Sequence, residues 1–294
     1  MRGLLIGASG QLGRALLAAF SQACQMVGTA HRHPQPGHLT LDLADTQRIH
    51  SMLQDTNPDL ILIAGAMCAV DGCELEPELC YQINALAPKT VAEYARAHGA
   101  HVVFYSTDHV FDGDREIYQE SDAIRPLNAY ARSKAEGEAA LRELLPDRYL
   151  ILRTSWLYGP DAQRMNFALR CVDRIRAGQQ VLVPADQWGS PTYTEDLARA
   201  TRFLVEYGHT GTFHATGPEF IDRVALARRI CARFRLDDRY IVPKLTSELG
   251  QAARRPLRVR LDCRKLYETG VGELRGVDRG LESLALSEAS FVNS

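Results

Sequence analysis

The chain has 294 residues, 46% hydrophobic and 24% charged, with 34 Lys and Arg against 36 Asp and Glu for a formal charge of −2. That length accommodates one large core or two unequal ones, and the near-neutral balance without a basic tract excludes a phosphate-backbone binder, so no nucleic-acid partner is expected. No apolar run approaches the roughly 18 residues of a membrane span, and the N-terminus reads as a strand without a charged-then-apolar leader, so a cytoplasmic protein with no membrane partner is expected.

Short apolar runs alternate with amphipathic stretches from the start. "RGLLIG", "QMVGTA", "DLILIAG", "HVVFYST" and "RYLILRT" have the length and the Gly, Pro or Asp borders of buried parallel strands. Between them, "QLGRALLAAFSQA", "TQRIHSMLQDT", "PELCYQINALAPKTVAEYARAHG" and "NAYARSKAEGEAALRELL" keep apolar residues at helical spacing. The alternation predicts an α/β fold, a doubly wound parallel Rossmann sheet with right-handed crossovers. Beyond residue 154 helices are expected near 164–177, 194–207 and 222–234, while strands shorten and Pro/Gly punctuation increases. The expected organisation is a first domain over 1–153 and a smaller C-terminal domain over 154–294. Segments around 186–216 are open to rejoining the first sheet, and the tail after about 276 is expected to be loosely held.

The first strand breaks into Gly7, Gly10 and Gly13, with Gln11 and Leu12 between them, and then into a helix. Glycines in such a turn permit positive φ, let a phosphate reach backbone amides, and bring helix and strand close. The spacing is GxxGxxG rather than GxGxxG, and a purely structural Gly-rich turn is the competing reading. An NAD site wants an acid about 20 residues beyond the glycines. The chain instead reads "GTAHRHP", where Arg32, flanked by His31 and His33, offers a planar cation for a 2′-phosphate. NADPH is therefore favoured over NADH, against the alternative of a solvated turn arginine. Asp42 is placed to meet the adenine edge, and Leu43, Ala64, Gly65 and Ala66 complete the expected cofactor contacts.

Tyr130 and Lys134 lie four apart on one helix face. A phenol of pKa near 10 is a poor acid–base group at neutral pH, and a nearby ammonium favours its ionised form. Upstream, "FYSTDHVFDG" leaves the fifth strand, where Thr107 or Ser106 offers a hydroxyl for a substrate carbonyl. A surface helix bearing a tyrosine is the plain alternative; the order of glycine turn, hydroxyl and YxxxK gives the pair its weight. Seven cysteines are present, of which only Cys68, Cys73 and Cys80 cluster, without a CxxC pair or nearby histidines for zinc.

At these residues the chain resembles the extended short-chain dehydrogenase/reductases. "STDHVFDG", "RTSWLYGP", "DQWGSPTYTEDLA" and "ARRPLRVRLD" are similar, in order and over roughly residues 1–270, to dTDP-4-dehydrorhamnose reductases. That resemblance implies NADPH-dependent reduction of the C4 ketone of a dTDP-4-dehydro-6-deoxyhexose, foremost dTDP-4-dehydro-L-rhamnose to dTDP-L-rhamnose. Tyr130 would give its proton to the alkoxide, Thr107 would hold that oxygen, and Lys134 would also anchor the nicotinamide ribose. Val70, Asp108, Val110 and Trp156 match family positions near the sugar, Trp156 offering it a flat apolar face. Asn166, Gln187 and Arg255 are expected on the second domain's side of the cleft, Arg255 serving a phosphate or being structural. Asn84 matches a family asparagine whose role is catalytic or a helix-interior hydrogen bond.

Some positions depart from the family. His109 stands in place of its usual tyrosine, and Met67 and Cys68 where threonine is commoner, which bears on substrate identity more than on reaction type. Family members with a Mg²⁺ ion at a dimer contact use glutamates; here Ala15 occupies one such position and Glu195 alone another, a poor cation site. No metal is expected, and the chain is read as a monomer or weak homodimer. The competing functions are another sugar-nucleotide 4-ketoreductase and a non-catalytic NADP-binding subunit like the regulatory subunit of methionine adenosyltransferase, which resembles this family.

Overall fold

The computed structural model describes residues 1–292, with side chains to residue 290. Its strands are β1 (Arg2–Ile6), β2 (Gln25–Ala30), β3 (Leu39–Thr40), β4 (Leu60–Ile63), β5 (His101–Thr107) and β6 (Tyr149–Thr154). There follow β7 (Leu157–Tyr158), β8 (Val181–Pro184), β9 (Trp188–Gly189), β10 (Thr192–Tyr193), β11 (Gly211–His214), β12 (Ile221–Asp222) and β13 (Ile241–Lys244). The helices are α1 (Gln11–Phe20), α2 (Thr46–Thr56), α3 (Val70–Leu75), α4 (Pro77–Tyr81), α5 (Ala87–His98) and α6 (Ala129–Leu144). Then come α7 (Phe167–Arg176), α8 (Thr194–Glu206), α9 (Arg223–Phe234), α10 (Arg264–Glu268) and α11 (Val277–Val292). Among the described residues no helix is long and apolar enough to cross a membrane.

One seven-stranded sheet organises the rest, in the order β11-β6-β5-β4-β1-β2-β3, and every pairing in it is parallel. The doubly wound Rossmann prediction holds. Strand β4 shows why a continuous apolar run suits such a strand: side chains alternate between two helix layers. Leu60 and Leu62 pack with Leu16, Phe20, Leu197 and Leu204 of α1 and α8. Ile61 and Ile63 face the other way, against Ile49, Leu53, Val91 and Leu141 of α2, α5 and α6. Thus α8 and β11, well beyond residue 154, complete the layer and edge of the central sheet. A separate cluster joins α7, α9 and α11 through Leu169, Val172, Leu226, Ile230, Leu281 and Leu284.

The structure differs from the sequence prediction in two places that matter. The single helix expected over 77–99 is α4, a π-helical turn over Gln82–Leu86, and α5. Pro88 explains the break: without an amide hydrogen it cannot bond the carbonyl four residues back, and the Ala87 amide reaches Gln82 O instead. The tail expected to be loose is helix α11, because Val277, Leu281 and Leu284 form an apolar stripe that the third cluster buries. Its removal from water makes Leu281 a core residue. Leu281→Ala is expected to lower the unfolding free energy by about 2–5 kcal/mol in urea denaturation; a loss under about 0.5 kcal/mol would make α11 a surface appendage.

Candidate active site

The strand order reverses between β1 and β4, and open α/β sheets bind ligands at the carboxyl ends of the strands at that point. There the turn after β1 meets the loop after β4. Gly7 has φ +88°, and a Cβ on it would lie 2.5 Å from the Gly65 amide nitrogen. A Cβ on Gly13 would lie 2.1 Å from Gly7 O, so α1 reaches its position only with glycine there. Gly10 is different: it caps α1, no side chain caps the helix, and a Cβ there would meet nothing nearer than Gly7 O at 3.6 Å. The amides of Gln11, Leu12 and Gly13 in the first turn therefore face an open anion cradle. Leu12 contributes only its backbone, since its side chain lies in the core.

Arg32 follows β2, is exposed, and has no ion-pair partner among the described residues. His31 Nε2 stands 3.6 Å from Asp42, whose carboxylate also accepts from the Ala44 amide at 3.0 Å. Leu43 closes against Gly65, while Ala64, Gly65 and Ala66 stay partly accessible. Cradle, accessible loop and unpaired guanidinium fit a dinucleotide with a 2′-phosphate.

Thr107 ends β5, and Tyr130 and Lys134 rise on α6 beside it. Asn128 caps α6, accepting from the Ala131 amide at 2.8 Å and donating to Arg254 O at 2.7 Å. Glu74 accepts from the Ala129 amide at 2.8 Å, so both ends of the approach to Tyr130 are tied down. The Thr107 hydroxyl beside the Tyr130 phenol pulls the phenol pKa down, but burial dominates and pushes it well above 10. Lys134 is fully buried, its ammonium 3.9 Å from the Phe104 ring centroid. Burial brings it down to about 8, against the pull of neighbouring thiols and of Glu138. The sequence argument that Lys134 lowers the Tyr130 pKa is thus outweighed by desolvation of the phenol. Ser106, the other candidate hydroxyl, points to the opposite face of the strand, toward Glu138.

A cavity of about 900 Å³ opens beside this pair, lined by Val70, Asp108, Trp156, Gln187 and Arg255 among the expected substrate residues. Asp108 is buried and holds Thr107 Oγ1 at 3.1 Å and Ser155 Oγ at 2.6 Å. His109 also lines the cavity, edge-on to Tyr130 with ring centroids 5.8 Å apart, and its buried Nδ1 has no hydrogen-bond partner. Arg255 is neither free nor a surface residue: both its terminal nitrogens donate to Asp71, at 2.9 and 2.8 Å. Gln187 donates to Thr246 Oγ1 at 3.1 Å.

Three expected substrate residues do other work. Val110 is wholly buried with Phe111, Tyr118, Val259 and Leu261, because its side chain follows the apolar face of the turn after β5. Asn166 caps α7, accepting from the Leu169 amide at 3.1 Å, and donates to Gln11 Oε1 at 3.2 Å, tying α7 to the glycine turn. Trp156 lines the cavity, but the guanidinium of Arg223 sits 3.4 Å from its ring centroid, so that face is not bare. Trp156 has φ +44°, a strained value for a bulky residue, and its ring sits where a Cβ on residue 189 would come within 2.5 Å. Gly189 is what admits it.

Sequence reasoning passed over Arg223, Asn128 and Glu74. Asn before the "AYARSK" helix is a readable cap signal; the other two are brought in only by packing. Asn84, in the π-turn, accepts from the Met67 amide at 3.0 Å and donates to Met67 O at 3.0 Å and to Ser133 Oγ at 3.2 Å. It joins the loop after β4 to α6, neither touching the cavity nor serving its own helix alone. Glu195 faces Arg275 at 3.5 Å.

The family described as RmlD substrate binding domain matches residues 1–288. A dTDP-4-dehydrorhamnose reductase of Streptomyces griseus is 34% identical over 281 residues, spanning 93% of this chain and 90% of its own. Methionine adenosyltransferase 2 subunit beta of Rattus norvegicus is 32% identical over 281 residues, 92% of this chain and 83% of its own. The crystal structure of dTDP-4-dehydrorhamnose reductase (rfbD) from Bacillus anthracis str. Ames in complex with NADP superposes with a TM-score of 0.88 at 30% identity, over 97% of this chain and 99% of that one.

The glycine turn provides a direct test of the cradle. Gly13→Ala, which drives a methyl group into Gly7 O, is expected to weaken NADPH binding by about tenfold or more and to destabilise the fold by about 1–3 kcal/mol. Fluorescence titration and thermal unfolding measure the two effects; an unchanged dissociation constant would separate the turn from the cofactor.

Proposed function

The chain belongs to the RmlD substrate binding domain family, that of the dTDP-4-dehydrorhamnose reductases, and from that premise we propose that it reduces the C4 ketone of a dTDP-4-dehydro-6-deoxyhexose with NADPH, foremost dTDP-4-dehydro-L-rhamnose to dTDP-L-rhamnose. The observation that carries the reading is Tyr130 beside Thr107 at the carboxyl end of β5, with Lys134 one helical turn on, next to a cavity large enough for a nucleotide sugar. When bound, the nicotinamide supplies the hydride.

The residues of the chain supply everything else. Gly7, Gly10 and Gly13 with the α1 amides hold the pyrophosphate, and Arg32 pairs with the 2′-phosphate, which favours NADPH over NADH. Tyr130, kept protonated by its buried setting, gives its phenolic proton to the oxygen developing at C4. Thr107 shares that oxygen by turning to it the hydroxyl proton it otherwise donates to Asp108 at 3.1 Å, while the His109 amide, donating at 3.2 Å, holds the Thr107 oxygen in place. Lys134 keeps positive charge beneath Tyr130 and anchors the ribose. Residues 1–153 form the cofactor-binding part and most of 154–294 the substrate side. No Mg²⁺ is assigned, because Arg275 neutralises Glu195 and Ala15 has no ligand atom. The protein is read as a monomer or weak homodimer.

A second reading rests on the 32% identity to the methionine adenosyltransferase subunit: a regulator that binds NADP without turnover. Purified protein with dTDP-4-dehydro-L-rhamnose generated in situ, assayed in parallel with NADPH and NADH, decides between them. Fast oxidation of NADPH is expected, with Tyr130→Phe slower by about 10²–10⁴-fold and its NADPH affinity unchanged. NADPH binding without turnover of dTDP-, UDP- or GDP-4-keto sugars would favour the regulator.

The pH profile isolates Lys134. Its ammonium is charged below about 8 and lost above it, whereas Tyr130 titrates well above 10. The profile of kcat/KM is expected to fall on the alkaline side with a midpoint near 8, and a flat profile to pH 9.5 would remove Lys134 from the chemistry.

A further inference from the structure

Four arginines line the cavity: Arg170, Arg174, Arg223 and Arg255. They are not equivalent. The charge of Arg255 is already met by Asp71 in a two-pronged pair. Arg170 is exposed, and Arg174 is engaged through Nε with Gln180 O at 3.3 Å. Arg223, the first residue of α9, lies over Trp156 with its guanidinium carbon 3.4 Å from the ring centroid and 4.8 Å from that of Phe167. Among the described residues no carboxylate or carbonyl accepts a hydrogen bond from its guanidinium; only its backbone amide is engaged, with Gln187 O at 3.0 Å. The nearest candidate, Asp108, is already held by the Ser155 and Thr107 hydroxyls.

A guanidinium stacked on an indole is held by its face, and its N–H donors lie in the plane, pointing sideways. Stacking therefore orients Arg223 without using a single donor. The strained backbone of Trp156 and the missing side chain at Gly189 fix the ring that fixes the arginine. An unpaired, part-buried cation with a pre-set planar fork at the wall of a ligand cavity is a site for an anion with two adjacent oxygens.

We infer that Arg223, carried on one face of Trp156, is the fork that binds the diphosphate of the nucleotide-linked substrate. The inference rests on the nucleotide-sugar reading above. Burial also lowers the Arg223 pKa to about 9, a penalty that a bound dianion relieves.

Titration calorimetry of the full chain with dTDP, alongside NADPH binding, tests it. Arg223→Gln is expected to weaken dTDP by about tenfold or more while leaving NADPH affinity within twofold. Arg223→Lys, which keeps the charge and the fold but loses the planar fork, is expected to recover only part of that loss. In turnover the change appears in KM, with kcat little altered. Wild-type affinity for dTDP in both variants would overturn the assignment, as would equal loss of dTDP and NADPH binding, the mark of a structural role. If the wild-type protein binds none of dTDP, UDP, GDP or ADP at millimolar concentration, the nucleotide-sugar reading fails and the inference with it; binding by wild type and variants alike sinks the inference alone.

Discussion

Helix α6, which carries Tyr130 and Lys134, is pinned to the sheet by a buried ion pair, and the geometry of the site depends on it. Glu138, fully buried on α6 one turn beyond Lys134, accepts from Arg153 of β6 at 3.0 Å through Nε and 2.8 Å through Nη2. Arg142 adds a bond at 2.6 Å. Arg153 spends its remaining donor on Glu120 O at 3.2 Å and on His214 Nε2 at 3.4 Å. That ring nitrogen can accept because burial and the neighbouring arginine push the His214 pKa down to about 3, leaving it neutral, with Nδ1–H turned to Asp262 O. Removing one partner of such a pair would cost about 3–5 kcal/mol, since the other is left charged and dry. Complete satisfaction of the network sets where α6 sits on β5 and β6, and so where Tyr130 meets Thr107.

The second constraint is closeness. Gly7, Gly13 and Gly137 each stand where a methyl group would collide with backbone; a Cβ on Gly137 would come within 2.7 Å of Asn84 O. Helix α6 consequently lies against the π-turn, Asn84 reaches both Met67 and Ser133, and the loop after β4 is held beside the helix that carries Tyr130 and Lys134. The widened turn traces to Pro88, so one missing amide hydrogen shapes the wall of the site.

Across the cleft, positions are fixed by contacts between distant segments. Asn166 binds Gln11 at 3.2 Å, 155 residues away, and Arg255 binds Asp71 across 184 residues. The cavity beside Arg255 and Asp71 is lined by arginines and aromatic rings in contact with one another, Arg223 on Trp156 among them, and the burial of α11 keeps the C-terminal part of the structure in place.

Much of this was legible in the chain. Periodicity marked β1, β2, β4, β5 and β6 and the helices between them, because a strand buried on both faces must be apolar throughout and a layered helix must repeat near 3.6 residues, while the edge strands β3 and β11, the π-turn and α11 went unmarked. The glycine turn, Arg32, Thr107, Tyr130 and Lys134 could be singled out because each belongs to a local pattern. Only the tertiary structure decided that Val110 is core, that Asn166 is a tie, that Trp156 carries Arg223, and that burial rather than Lys134 governs the Tyr130 pKa. Those outcomes depend on which side chains arrive from far along the chain and on how much water they exclude, and neither quantity is written in the spacing of residues along a strand or helix.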